Sequence, residues 1–182
     1  FHFLKDFNGI ADLNTNISFN LSKRLKVENF TYSTEGNIEY LEIQTEENKT
    51  IKEYLPEFDP KIILKDTKVN IINSNSNNVM ELNGLIKAKS YFDAFKIKRI
   101  YDYNEKNSTI SGDVNLTNSK VRLSKLNYTK NSGKKSELKF EVNFVLNKYY
   151  NIKNLTFFDE KSKIYLSSIK LYQNFELKDF KE

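Results

Sequence analysis

The chain has 182 residues, 29 basic against 24 acidic, a net charge of +5, 38% hydrophobic residues and no cysteine. That size suits one domain, the apolar share is too high for a disordered segment, and disulfides and thiolate metal sites are excluded. No apolar run approaches the ~18 residues of a membrane helix, no signal-peptide pattern is present, and a single histidine, His2, leaves no histidine-based triad or zinc site.

Alternation with a period of two dominates from the N-terminal side. Ala11, Leu13, Thr15, Ile17, Phe19 and Leu21 fall on one face and Asp12, Asn14, Asn16, Ser18 and Asn20 on the other, which predicts a half-buried strand. Leu25, Val27, Phe30 and Tyr32 then follow a rhythm of i, i+2, i+5 and i+7. The three-residue step would throw the second half onto the wrong face unless a β-bulge or a tight bend absorbs it. The same rhythm recurs at 62/64/67/69, 114/116/119/121, 150/152/155/157 and 164/166/169/171. Bulges repeated at similar places add twist and curve a sheet into a trough, whereas two short strands joined by a turn would give the same spacing.

With five Gly and two Pro, turn chemistry falls to the 24 Asn and their Ser and Asp neighbours. Turns are expected at Thr34–Asn37, Asn73–Asn78, Asn104–Ser108 and Lys130–Lys135. Lys49–Phe58 places Ile51, Tyr54 and Leu55 at helical spacing before Pro56 and Pro60 stop it, which predicts one short helical turn or loop. Lys87–Tyr103 is ambiguous in period, and Phe92, Phe95 and Ile97 fit a bulged strand. Leu138, Phe140, Val142, Phe144 and Leu146 alternate with Lys139, Glu141 and Asn143 as a second clear strand.

The stretch from Ile62 to Ile71 (IILKDTKVNI) returns 52 positions later as Val114 to Leu123 (VNLTNSKVRL), and Glu81-Leu82 and Glu137-Leu138 each open a further alternating run. Repetition of a strand–turn–strand device predicts a sheet lengthened by stacking copies, with units at about 62–110 and 114–172. The fold class expected is therefore all-β: a long, curved, twisted antiparallel sheet, an open trough built from repeated strand units with little helix. Residues 1–182 are expected to form a single module and, since the chain begins at Phe1 and stops mid-pattern, a fragment of a longer array.

Catalytic chemistry is not expected. The five glycines are isolated, so no phosphate loop is present, and Glu46-Glu47 and Asp159-Glu160 sit at apparent turns where solvation accounts for them. The positive charge admits a nucleic-acid or anionic-membrane surface. However, only Arg24, Arg99 and Arg122 are arginines, and the lysines alternate with apolar or acidic residues, as on a solvated face. Most aromatics alternate in register with Leu and Ile, which suits core or groove lining better than base stacking. A transmembrane barrel would show strands of ~9–11 residues with aromatic girdles, against which the heavily charged polar face argues.

The segment Leu116-Thr-Asn-Ser-x-Val121 followed by Leu126-x-Tyr128-x-Lys130-x-x-Gly133 resembles a recurring segment of the AsmA-like family, in its large YhdP-type members. The resemblance extends over roughly Ile62 to Phe180. The first copy departs from it, because Asn73–Asn78 replaces the Lys…Gly turn. What it implies is a piece of a periplasmic bridge, anchored in the inner membrane of a Gram-negative bacterium by a segment outside this piece. Such bridges carry phospholipid along a hydrophobic β groove toward the outer membrane. The implied partners are phospholipid acyl chains and adjoining segments of the same longer chain, with no cofactor, no metal, no enzyme activity and no nucleic acid. On that reading Leu64, Val69, Ile71, Leu116, Val121, Leu123, Phe140, Phe144 and Leu146 are the candidates for groove lining. The alternative is a structural or interaction protein, such as a β-solenoid or surface adhesin fragment, with a closed core and no lipid.

Overall fold

The structure, a computed structural model, describes residues 4–47, 49–87, 90–145, 149–172 and 177–181. Its strands are β1 (Leu4–Leu21), β2 (Val27–Thr45), β3 (Lys61–Asn73), β4 (Asn77–Lys87), β5 (Asp93–Asp102), β6 (Asn107–Asn115), β7 (Val121–Leu123), β8 (Tyr128–Lys130), β9 (Ser136–Val145), β10 (Tyr149–Asp159), β11 (Lys163–Leu171) and β12 (Leu177–Lys181). One helix, α1 (Lys49–Tyr54), lies between β2 and β3, and a 3-10 turn (Ser124–Leu126) joins β7 to β8. Ten strands form one antiparallel sheet in the order β1-β2-β3-β4-β5-β6-β9-β10-β11-β12, and β7 and β8 pair separately. Among the described residues the sheet is not closed, and β1 and β12 lie at its two edges. At ~4.8 Å per strand its nine spacings span roughly 43 Å. The expected all-β, open and curved sheet is what the chain forms.

Period-2 alternation becomes a two-faced sheet because paired residues on neighbouring antiparallel strands share a face. Leu13 stands opposite Gly36, Gly36 opposite Val69, Val69 opposite Leu82, Leu82 opposite Ile97, and Ile97 opposite Gly112, which pairs with Phe140. The next row runs Thr34, Ile71, Met80, Arg99, Ile110, Val142, Ile152 and Ile169. The opposite face carries ion pairs: Lys61 with Glu42 at 2.9 Å, Lys98 with Glu81 at 2.8 Å, and Lys139 with Asp113 at 3.2 Å and Glu137 at 3.1 Å.

The bulges keep these rows in phase. The register slips at Ser18/Asn20, at Lys65/Lys68 and at Lys153/Thr156, and Asn29, Asp66 and Asn154 adopt left-handed φ there. Asn and Asp tolerate that conformation better than other non-glycine residues, so each extra residue is absorbed at little cost. Strands β10 and β11 step together, since Lys153 pairs Ser168 and Leu155 pairs Leu166.

Two expectations are corrected. Thr34–Asn37 is not a turn but the middle of β2. Gly36 is there for close approach, since a Cβ on it would lie 2.0 Å from the Asp12 carbonyl oxygen. The two matching ten-residue stretches also fold differently. Ile62–Ile71 stays within β3, bulged at Asp66, whereas Val114–Leu123 leaves β6 after Asn115, turns, and enters β7. The turn prevails in the second copy because distant groups hold it. The buried carboxylate of Asp93 accepts the Asn118 N–H and the Ser119 hydroxyl, both at 3.2 Å, and Asn118 Nδ2 donates to the Phe92 carbonyl at 3.2 Å.

Candidate functional site

The candidate site is the apolar face of the large sheet, and its two ends differ. At the end formed by Leu138, Phe157 and Ile164, a small cap covers the strands. Leu116 and Val121 pack on Phe157, with Leu55, just past the end of α1, and with Leu123 and Tyr128 of the β7–β8 hairpin around them. The Tyr128 ring meets Phe157 edge-on at 5.8 Å, and its hydroxyl donates to Asp159 in the β10–β11 turn. That hydrogen bond holds the Asp159 carboxyl below its ordinary range; burial first, and then the same bond, push the Tyr128 phenol up.

A buried lysine fastens the cap. Lys130 Nζ donates to the carbonyls of Leu116, Thr117 at 3.1 Å and Ser119 at 2.6 Å, so all three ammonium protons have acceptors. Burial pushes its pKa down, partly opposed by the charges of Asp93 and Asp159. Burial likewise raises the Asp93 carboxyl, against the donors from Asn118 and Ser119. Both groups are structural: they stitch the 116–120 turn onto the sheet. A cleft of about 190 Å³ remains between Leu55, Glu57 and Phe58, which follow α1, and this turn, with Ile62, Ile86 and Val114 in its lining.

Away from the cap no other element packs over the apolar face among the described residues, although Thr67 and Val69 in the middle of β3 are buried. Ile71, Met80, Leu82, Ile97, Ile110, Phe140 and Val142 are half-buried by their neighbours in the sheet alone. The Phe140 ring lies across the strand beside it, within 2.5 Å of where a Gly112 Cβ would be, so that glycine makes room for a flat apolar floor. Thr67 fills the matching place over Gly84.

The far end of the face is a polar and aromatic rim. Arg99 Nε donates to Ser108 Oγ at 3.1 Å, and its guanidinium lies 5.4 Å from the Tyr101 ring. Tyr101 and Tyr103 stack edge-on at 5.3 Å, Phe144 and Tyr150 at 5.0 Å, and the Tyr103 hydroxyl donates to Asn73 Oδ1 at 2.5 Å. Asn78 donates to the Tyr32 hydroxyl at 3.2 Å. Among the described residues from β2 to β11, Arg99 is the only cation the register places on this face. An amphiphile could rest its apolar part on the rows and its polar end on this rim.

The expected lining residues divide accordingly. Leu64, Val69, Ile71, Phe140 and Phe144 lie on the apolar face of β3 and β9, with Phe144 at the rim. Leu116, Val121 and Leu123 instead belong to the cap, where the turn after β6 carries them off the sheet and into the packed end. Leu146 lies outside the described residues. Sequence reasoning missed Arg99 and the tyrosine rim, although Phe95, Ile97, Arg99 and Tyr101 share one alternation phase.

Twist also hollows the polar face. An open depression of about 720 Å³ crosses β1–β5, lined by Asp12, Glu35 and Glu81 together with Lys68 and Lys96. Its mixed signs select no class of ion. Among the described residues no group of acidic or histidine side chains is placed to hold a metal, and no helix is long and apolar enough to cross a membrane. No family model, curated protein or solved structure matches the chain.

Proposed function

We propose that the chain is a groove module that holds and passes phospholipid acyl chains along the apolar face of its open sheet. The observation that carries this reading is the division of that face. Uncovered aliphatic and aromatic rows are bounded on one side by a rim of Arg99, Tyr32, Tyr101, Tyr103 and Asn73, a layout that matches the two ends of a phospholipid. The rows from β3 to β11 cross six strand spacings, about 29 Å, whereas one acyl chain needs about 15 Å, half the hydrocarbon thickness of a bilayer.

The energetics suit passage rather than storage. A buried methylene gains about 0.8 kcal/mol, so ten methylenes half-covered by a groove gain about 4 kcal/mol per chain. Two chains then hold at roughly micromolar strength and one chain at roughly millimolar. The repeated aliphatic lining makes neighbouring positions close in energy.

The AsmA-like resemblance supports the wider setting. In that setting the chain is a segment of a periplasmic bridge, anchored in the inner membrane of a Gram-negative bacterium, with adjoining segments extending the sheet. Nucleic acid fits less well, since lysines of the polar face stand paired with carboxylates. The packed cap favours a second reading, a structural β module whose apolar face binds nothing.

Binding of a pyrene-labelled phospholipid by the purified protein separates the two. Ile97 is half-buried between Leu82 and Gly112, and Ile97→Asp is expected to weaken binding more than tenfold while the far-ultraviolet spectrum keeps its strand signature. No binding by the unaltered protein would favour the structural reading.

A further inference from the structure

The hairpin that joins β1 to β2 projects beyond the rest of the sheet. The last β2–β3 pair is Tyr32 with Asn73, and Tyr32 pairs with Ile17 on β1. Asn73 Nδ2 still reaches the Phe30 carbonyl at 3.4 Å and Asn75 Nδ2 the Asn29 Oδ1 at 3.3 Å, so it is residues 20–28 that run on past the rim, by roughly 10 Å at the rise of a strand. Instead of turning polar, this arm presents apolar side chains to solvent: Leu21 is 55% exposed, Leu25 80% and Val27 58%. Phe19 and Phe30 stand exposed behind them.

The tip is also cationic. Lys23, Arg24 and Lys26 alternate with those apolar residues, and Glu28 is the only acid between Leu21 and Phe30, a net of +2 from three cations and one anion. The tip loop is closed by Ser22, whose backbone N–H donates to the Lys26 carbonyl at 2.9 Å, and whose carbonyl accepts the Leu25 N–H at 2.9 Å. This places Leu25 at φ 55°, a left-handed position that turns of this kind normally give to glycine or asparagine. A bulky aliphatic residue is thus held in a disfavoured backbone conformation with its side chain in water. Folding alone accounts for neither feature.

We propose that this hairpin tip docks on an anionic lipid bilayer, with Leu21, Leu25 and Val27 entering the interface and Lys23, Arg24 and Lys26 meeting the phosphates. Charge complementarity selects the partner, because apolar residues interleaved with lysine and arginine are the pattern that binds anionic lipid surfaces. The aromatic rim of Tyr101, Tyr103 and Tyr150 opens at the same end of the strands, so docking would bring the groove mouth to the bilayer. The docking itself needs no lipid in the groove.

The chain lacks tryptophan, so Leu25→Trp introduces a single reporter. In flotation with vesicles, the protein is expected to bind an equal mixture of phosphatidylcholine and phosphatidylglycerol far better than phosphatidylcholine alone. The Leu25→Trp emission should shift to the blue and be quenched by brominated acyl chains. Replacing Lys23, Arg24 and Lys26 together by Ser is expected to weaken binding on the order of 100-fold. Leu25→Gly is the decisive variant: it relieves the backbone and should keep or raise the melting temperature, yet weaken binding roughly tenfold. Flotation that is absent, or that is indifferent to phosphatidylglycerol, would overturn the proposal. So would a lipid-free dimer in which the Leu25→Trp emission is already blue-shifted. A protein that binds pyrene phospholipid but not vesicles would refute this docking and leave the groove reading intact; the converse result would do the opposite.

Discussion

Tyr128→Phe tests whether the cap is fastened as described. The substitution keeps the ring that meets Phe157 edge-on and removes only the hydroxyl that donates to Asp159. A hydrogen bond to a charged acceptor contributes about 1.5–3 kcal/mol. Asp159 is half-exposed and keeps the backbone donors of Lys161 at 2.8 Å and Ser162 at 2.6 Å, so the lower end, about 1.5 kcal/mol, is expected. For a chain of this length that corresponds to a fall in melting temperature of roughly 3–6 °C. The pH dependence has a definite sign. The Asp159 carboxyl titrates below its reference value of 3.8 in the folded protein, so its contribution is complete above that value and disappears as pH falls through the folded one. Thermal melts of the two proteins, followed by circular dichroism, should therefore differ at pH 7 and converge in strong acid. Equal melting temperatures at pH 7, or a difference that persists undiminished in acid, would refute the role given to this bond.

Val121→Asp and Phe144→Asp should separate cap from groove. Val121 is buried against Phe157, and a carboxylate there is expected to cost more than about 3 kcal/mol in urea unfolding, whereas Phe144→Asp at the rim should cost less and mainly weaken phospholipid binding. Gly84→Ala places a methyl 2.3 Å from Thr67 Oγ1 and 2.5 Å from its Cα, so a loss of about 1–3 kcal/mol is expected; the double variant with Thr67→Gly should recover little, because the Thr67 backbone itself is in the way.

Much of the fold was legible in the residues because a strand exposes its pattern directly. The alternations at Ala11–Leu21 and Leu138–Phe144 mark true strands, although the first, expected to be half-buried, lies at the sheet's edge with both faces exposed; the three-residue steps at Asn29, Asp66 and Asn154 mark bulges that hold the apolar rows together. The cap was not legible. Val114–Leu123 carries the same pattern of residue types as a true strand, and what folds it into a turn is Asp93, some 25 positions earlier, and Lys130, reaching back from the following hairpin. Local pattern cannot report a contact made across that separation. The rim was hidden for a related reason: Arg99 meets Ser108, and Tyr32 and Asn73 meet Asn78 and Tyr103, only once strand register is fixed, and a single chain does not display its register. The hairpin tip lies between these cases. Its alternation of Leu, Lys, Arg and Val is plain, but that it projects past β3 depends on where the β2–β3 ladder stops.

Native mass spectrometry of the protein purified from cells under gentle conditions probes the uncovered apolar face most directly. The account calls for a population carrying phospholipid, one molecule spread over the rows between β3 and β11, and lost from Ile97→Asp with the fold retained. A protein that emerges wholly free of lipid, and stays so after incubation with phospholipid in detergent, would contradict it.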